Sequence, residues 1–170
     1  MKLSIMIILG IAGKEGSTRH ALATAHAINE IKPTMLSALS LMLYRGSELK
    51  EQFERGEFHP LTPAQLMEEL KLIMEHVDLP ESEHMIFRSN HVSNYIRLAA
   101  TLPRDKEQLL KDIDKSILHL KQMKNWDIYN HDFYKIRKAP LSTAEFFYLP
   151  KEFFSVFSCL KCYNGSQERV

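Results

Sequence analysis

The chain begins with an apolar run, residues 5–9, that carries no charge and has the length of a β-strand. The run ends in the turn Gly10-Ile11-Ala12-Gly13, and Ser17 then has the side chain of an N-cap for a helix that reaches about Ile31. The apolar positions of residues 35–44 predict a second, largely buried strand. Strand, helix and strand in this order predict a parallel βαβ unit with a right-handed crossover.

The turn after the first strand is a candidate ligand site. In α/β proteins ligands bind where strands end at their carboxyl edge. Gly10 and Gly13 let a ligand approach the backbone, and a helix N-terminus offers unpaired N–H groups to an anion or a polar edge. The alternative is an ordinary strand–helix turn that binds nothing.

Further helix and strand signals follow along the chain. Ser47 is a cap for a short helix that ends at Arg55, and Thr62-Pro63-Ala64-Gln65 has the pattern of a capping box. Residues 85–87 predict a short strand, and a last helix begins near Pro103. The two longer helices have apolar stripes at Leu66, Leu70, Ile73 and Val77, and at Leu109, Ile113, Ile117 and Leu120. These elements define a domain of residues 1–120.

Residues 121–170 are an aromatic-rich extension whose residues follow no period that predicts a structure. This segment holds both cysteines, Cys159 and Cys162. They are either free thiols or half of a zinc site shared by two chains.

Composition narrows the class of protein. The chain has 170 residues, a net charge of +1 and 45% apolar residues, which favour one globular domain and give no electrostatic reason to bind nucleic acid. Two cysteines imply no disulfide framework, and no run approaches the length of a membrane span. We therefore expect a cytoplasmic protein that does not contact membranes.

Two glycine turns and a loop carry a family resemblance. Gly10-Ile11-Ala12-Gly13-Lys14-Glu15 resembles the Gly-Leu-Pro-Gly-Glu-Thr turn after the fifth barrel strand of radical S-adenosylmethionine enzymes. Tyr44-Arg45-Gly46-Ser47-Glu48-Leu49 is similar to their Tyr-Pro-Gly-Thr-Pro-Leu turn after the sixth strand. The loop FRSNHVSN, residues 87–94, resembles a stretch that follows the barrel in iron–sulfur oxidoreductase-like members. The resemblance implies an α/β fold with parallel βα units, the second half of a partial (βα)6 TIM-like barrel.

The resemblance also implies binding residues. The adenine side of S-adenosylmethionine would lie against Ile8, Gly10, Ile11, Gly13 and Tyr44. The substrate would be bound by Arg88, Asn90, His91 and Asn94. The alternative for this second group is that the polar loop satisfies its own backbone, as serine and asparagine often do.

The family's reductive cleavage of S-adenosylmethionine depends on a 4Fe-4S cluster that three cysteines hold in Cys-x-x-x-Cys-x-x-Cys. The cluster's fourth iron stays open to bind S-adenosylmethionine, so three thiolates are needed. This sequence has no such motif, and Cys159 with Cys162 supplies only two thiolates. The cluster is therefore not bindable by this chain alone, and the residues suggest no catalytic group and no metal ligand set of its own.

Two functional expectations follow. The first is a C-terminal fragment or split subunit of a radical S-adenosylmethionine oxidoreductase, inactive alone. Its partner would be an N-terminal half-barrel chain, or a second copy associating across the open sheet edge. The second is a non-catalytic α/β interaction or small-ligand-binding module derived from the same scaffold.

Overall fold

The computed structural model describes residues 2–122, which form an α/β fold with four strands and four helices. In chain order the elements are β1 (Ser4–Leu9), α1 (Gly13–Ile31), β2 (Met35–Ser40), α2 (Glu48–Glu54), α3 (Pro63–His76), β3 (Met85–Arg88), β4 (Ala99–Leu102) and α4 (Lys106–Gln122). The predicted α/β class and the first βαβ unit are confirmed. The predicted extension, with Cys159 and Cys162, lies outside the described residues apart from the last two residues of α4.

The strands form one sheet in the order β1-β2-β3-β4. β1 pairs in parallel with β2, and β2 in parallel with β3, whereas β4 runs antiparallel to β3. The sequence pattern did not predict β4. Its residues Ala99 and Ala100 have low strand propensity, and the strand forms because it pairs with β3 across a short polar loop.

The helix starts test the capping predictions. Thr62 and Gln65 form the predicted capping box of α3, and the Ser47 hydroxyl accepts a hydrogen bond from the N–H of Lys50 at the start of α2. The prediction that Ser17 caps α1 is wrong. The helix begins four residues earlier, at Gly13, directly after the glycine turn, and Ser17 lies within it.

The second strand is also shorter than predicted. It ends at Ser40 rather than Tyr44, and its residues alternate instead of being buried throughout. Leu36 and Ala38 are buried, whereas Met35 on the opposite face is 37% exposed. A parallel strand is usually covered on both faces, so this alternation shows that the described helices cover only one.

The core lies between that covered face and helices α1, α3 and α4. It contains Leu9, Leu36, Met85, Phe87 and Leu102 from the strands, with Ala21, Ala25, Ile28, Leu66, Leu70, Ile73, Ile113 and Ile117 from the helices. The predicted apolar stripes of α3 and α4 are therefore confirmed as core-facing. The opposite face, which we call the open face, carries Met6 and Ile8 of β1, Met35, Ser37 and Leu39 of β2, and Ile86 and Arg88 of β3.

Among residues 2–122, no helix combines the length and apolar character needed to cross a membrane.

Candidate functional site

The turn after β1 is held by hydrogen bonds within the chain. The N–H of Gly13 donates to the carbonyl of Gly10 at 3.1 Å, and the N–H of Lys14 donates to the carbonyl of His59 at 2.8 Å. The N–H of Gly10 donates to a carboxylate oxygen of Glu69 at 3.0 Å. The expectation that this turn presents unpaired N–H groups to an anion is therefore wrong for these three residues.

The two glycines of the turn make room for side chains of the same chain. Both have positive φ, +80° at Gly10 and +64° at Gly13. A Cβ at Gly10 would lie 2.8 Å from a methyl of Leu66, and one at Gly13 would lie 3.0 Å from the ring of Phe58. Glycine is therefore required here by backbone conformation and internal packing, before any ligand is considered.

Glu69 of α3 holds this turn through a hydrogen bond to Gly10, and it was not among the predicted site residues. Its side chain is fully buried on α3. Besides the Gly10 N–H, its carboxylate accepts a hydrogen bond from the Ser17 hydroxyl and lies 2.9 Å from Nδ1 of His20. A buried carboxylate with these partners is satisfied, and it ties α3 to both the turn and α1.

The side chains of this cluster hold the turn, α1 and α3 in place relative to one another. Ser17 and His20 each contact the carboxylate of Glu69, and no hydrogen bond joins the Ser17 hydroxyl to the imidazole. A serine activated by histidine requires that histidine in direct contact with its hydroxyl, so Ser17 and His20 do not form such a pair. A sequence signal was available, because Glu69 lies between Leu66 and Ile73 on the stripe that faces the core.

The apolar residues expected beside adenine remain accessible at the carboxyl ends of β1 and β2. Ile8 is 44% exposed on the open face, and Ile11 is 41% exposed in the turn. Tyr44 follows β2 and is 64% exposed, with its hydroxyl donating to the sulfur of Met42. Side chains, rather than the N–H groups of Gly10, Gly13 and Lys14, are thus what this edge of the sheet offers to a ligand.

A polar loop joins β3 to β4 and is tied to the end of β2. The Asn94 amide donates to the carbonyls of Ala38 and Ser89 at 2.7 and 2.9 Å, and its oxygen accepts from the Ser40 hydroxyl at 2.9 Å. The Ser93 hydroxyl accepts from the N–H of Ser40. The side chain of Asn94 is thereby committed to the fold, as the alternative interpretation of this loop anticipated.

Three of the four predicted substrate residues meet in one groove of about 340 Å³ on the open face. They are Arg88, Asn90 and His91; Asn94 is not among the lining residues. The other lining residues are Met6, Ser37, Ala38, Leu39 and Val92. The groove thus combines apolar walls with one guanidinium and several neutral polar groups.

His91 has one of its two ring nitrogens occupied. Its Nδ1 accepts a hydrogen bond from the N–H of Ser93 at 3.2 Å and lies 2.8 Å from the Ser93 hydroxyl. The neutral ring therefore carries its proton on Nε2. His91 is exposed, so this donor is available for a further partner.

Near the turn, Glu15 forms an exposed pair with His59, whose Nδ1 lies 2.8 Å from the carboxylate. A hydrogen bond from its own backbone N–H, and then the one to His59, hold the pKa of Glu15 below its usual value. Within residues 2–122, no group of three His, Cys, Asp or Glu side chains is placed to hold a metal ion.

Comparison of the chain with protein-family models, with curated proteins and with solved structures yields no match.

Proposed function

We propose that this chain is the C-terminal part of a radical S-adenosylmethionine oxidoreductase-like barrel that contributes part of the S-adenosylmethionine and substrate pocket. The cluster-binding βα units would lie outside this sequence, in an N-terminal half-barrel chain or segment. The chain would be inactive by itself. The observation that carries the proposal is the pair of accessible apolar side chains, Ile8 and Ile11, at the carboxyl end of β1.

One-sided packing of the sheet supports a barrel origin. In a βα barrel the helices cover the outer face, while the inner face and the carboxyl ends of the strands meet the ligand. Here the helices bury the face of Leu9 and Leu36, and the open face carries Ile8 and the groove. β1, the parallel one of the two edge strands in the described sheet, is where further barrel strands would pair. The antiparallel β4 would end the parallel series after β3.

The residues fit the two expected cofactors unequally. Ile8, Ile11 and Tyr44 offer apolar surface of the kind on which an adenine packs. The 4Fe-4S cluster, which supplies the electron for cleavage of S-adenosylmethionine, needs three thiolates, and this chain has two cysteines. What this chain would do is bind the adenosine side and shield it from water.

Binding of S-adenosylmethionine to the full chain tests the proposal. We expect a dissociation constant on the order of 1 mM, because a partial pocket gives only about −4 kcal/mol. Ile11→Asp should weaken this binding about tenfold or more by placing a charge against the adenine. The matched control is Leu118→Asp, the same kind of change at an exposed residue of α4, which should bind like the wild type.

The outcomes of this titration are distinct. Binding lost in Ile11→Asp and kept in Leu118→Asp supports the proposal. No saturable binding at several millimolar, or equal loss in both variants, contradicts it.

The non-catalytic ligand-binding module is the second candidate function. It is favoured by the groove, whose walls are formed without a cluster.

Anaerobic reconstitution with iron and sulfide tests whether the isolated chain can bind a 4Fe-4S cluster. We expect the isolated chain to take up no stoichiometric 4Fe-4S cluster. An absorption band near 400 nm with about four irons per chain would contradict the assignment of the cluster to residues elsewhere. A neighbouring reading frame with the three-cysteine motif would favour the barrel over the module.

A further inference from the structure

Arg88 is a half-buried cation that has no carboxylate partner in the described part of the chain. Its Nη1 donates to the carbonyls of Phe87 at 2.7 Å and Ala100 at 3.4 Å. No carboxylate within residues 2–122 forms an ion pair with it, whereas the more exposed Arg55 and Arg104 each have one. Removing a guanidinium from water without a counter-ion is unfavourable, so the remaining nitrogens favour an anionic partner.

The groove around Arg88 has the shape and chemistry for an anion attached to an apolar body. Met6, Leu39 and Val92 provide apolar walls, and none of the lining residues within 2–122 is acidic. Its volume of about 340 Å³ is at the lower end for small-molecule pockets. His91 lines the same groove and has its Nε2–H available, so the groove wall carries a second donor besides Arg88.

We propose that the groove binds an organic carboxylate, with the carboxylate on Arg88 and His91 and the apolar body against Met6 and Leu39. The proposal rests on the proposed function and names the substrate class of its pocket. A carboxylate matches a planar guanidinium and carries a single charge. A phosphate monoester would bring nearly two charges, and the lining residues include one arginine and no lysine to oppose them.

A pair of isosteric probes isolates the charge. 2-Naphthoate and 2-naphthamide share one apolar body and differ in charge, and 2-naphthyl phosphate adds a dianion. Each is titrated into the full chain labelled with [ε-¹³C]methionine, and the shift of the Met6 methyl is followed. Met6 lines the groove and is 73% exposed, so its methyl reports contact directly.

We expect naphthoate to bind about tenfold more tightly than the amide and more tightly than the phosphate. Arg88→Met should reduce naphthoate affinity about tenfold and leave the amide unchanged, and Arg88→Lys should restore part of the loss. Arg97→Met is the matched control, since Arg97 is exposed and is not a lining residue, and it should behave as the wild type.

Equal binding of naphthoate and naphthamide by the wild type overturns the proposal, even if the Arg88 variants fail to fold. Tighter binding of the phosphate overturns the choice of carboxylate. Because the probes lack adenosine and need no cluster, this result is independent of the S-adenosylmethionine titration. Adenosine-side binding with no preference for naphthoate would refute the substrate class and leave the proposed function standing.

Discussion

The backbone N–H of Gly10, at the end of β1, donates a 3.0 Å hydrogen bond to the fully buried carboxylate of Glu69 on α3. The two residues are 59 positions apart in the chain, so the turn is fixed by tertiary structure as well as by its own glycines. The same carboxylate holds Ser17 and His20 of α1. The position of Ile11, and with it the proposed adenine surface, depends on this contact.

Replacing Glu69 with leucine should lower the free energy of unfolding by about 2 kcal/mol. The substitution keeps the side-chain volume similar but leaves the buried Gly10 N–H without an acceptor. Glu68→Leu is the control. Glu68 is exposed and pairs with Lys121 at the surface, so its loss should cost less than about 0.5 kcal/mol. Urea unfolding followed by circular dichroism measures both, and equal stabilities would refute the role of Glu69.

Alanine at Gly13 should destabilise the fold more than alanine at Gly46. Both glycines have positive φ, so each substitution carries a conformational cost of about 1 kcal/mol. Only at Gly13 does the added Cβ also meet the ring of Phe58 and the carbonyl of His59, whereas at Gly46 nothing lies within 4 Å. We expect thermal unfolding to show a further loss of about 1–2 kcal/mol for Gly13→Ala. Equal losses in the two variants would mean that close packing of Gly13 against Phe58 does not contribute to the free energy of unfolding.

Asn94→Ala should destabilise the chain by about 2 kcal/mol, because it removes hydrogen bonds to Ala38, Ser89 and Ser40. Asn90→Ala removes the same side chain from an exposed position of the same loop and should change stability by less than about 0.5 kcal/mol. Chemical unfolding of the two variants measures both changes in the free energy of unfolding. An Asn94→Ala protein as stable as the wild type would mean that the Asn94 side chain is not needed for the fold and is free to bind substrate.

Asp105 should make stability depend on pH in acid. It precedes α4, and hydrogen bonds from Arg104 and then from the N–H of Thr101 lower its pKa from 3.8 to about 2. A carboxyl whose pKa is lower in the folded state stabilises the fold above about pH 4 and loses that contribution as the pH falls to about 2. The melting temperature of the wild type should therefore fall more than that of Asp105→Asn between pH 5 and pH 2.5.

Glu107→Gln, at an 88% exposed position in the first turn of α4, is the control for that comparison and should retain the wild-type decrease. An Asp105→Asn protein with the full acid dependence of the wild type would show that other groups cause it.

Local signals in the sequence were enough for most of the elements. The charge-free run of β1, the capping box at Thr62 and the apolar stripe of α3 each determine their element through nearby residues, and the structure agrees. Where the start of α1 was misplaced, a tertiary contact was responsible. Ser17 has the side chain of an N-cap, but its hydroxyl is bound by Glu69, and the glycine turn starts the helix earlier.

The site residues that could be predicted are those that lie close together in the sequence. Arg88, Asn90 and His91 were grouped because all three lie in the stretch of residues 87–94 that carries the family resemblance. Arg88 ends β3, the other two lie in the loop after it, and all three line one groove. Glu69 could not be grouped with Gly10 in the same way, because a glutamate on a helix is usually solvated and only its place in the apolar stripe indicates burial. β4 depends on pairing with β3, which its alanine-rich sequence does not encode.

We propose that S-adenosylmethionine lies on the open face at the carboxyl ends of β1 and β2. The most direct measurement is a methyl NMR map of the full chain, labelled at isoleucine and methionine, with S-adenosylmethionine added to saturation. We predict shifts at Ile8, Ile11 and Met6, and none at the exposed Ile31 at the end of α1. Shifts at Ile31 but not at Ile8 and Ile11, or no shifts anywhere, would contradict it.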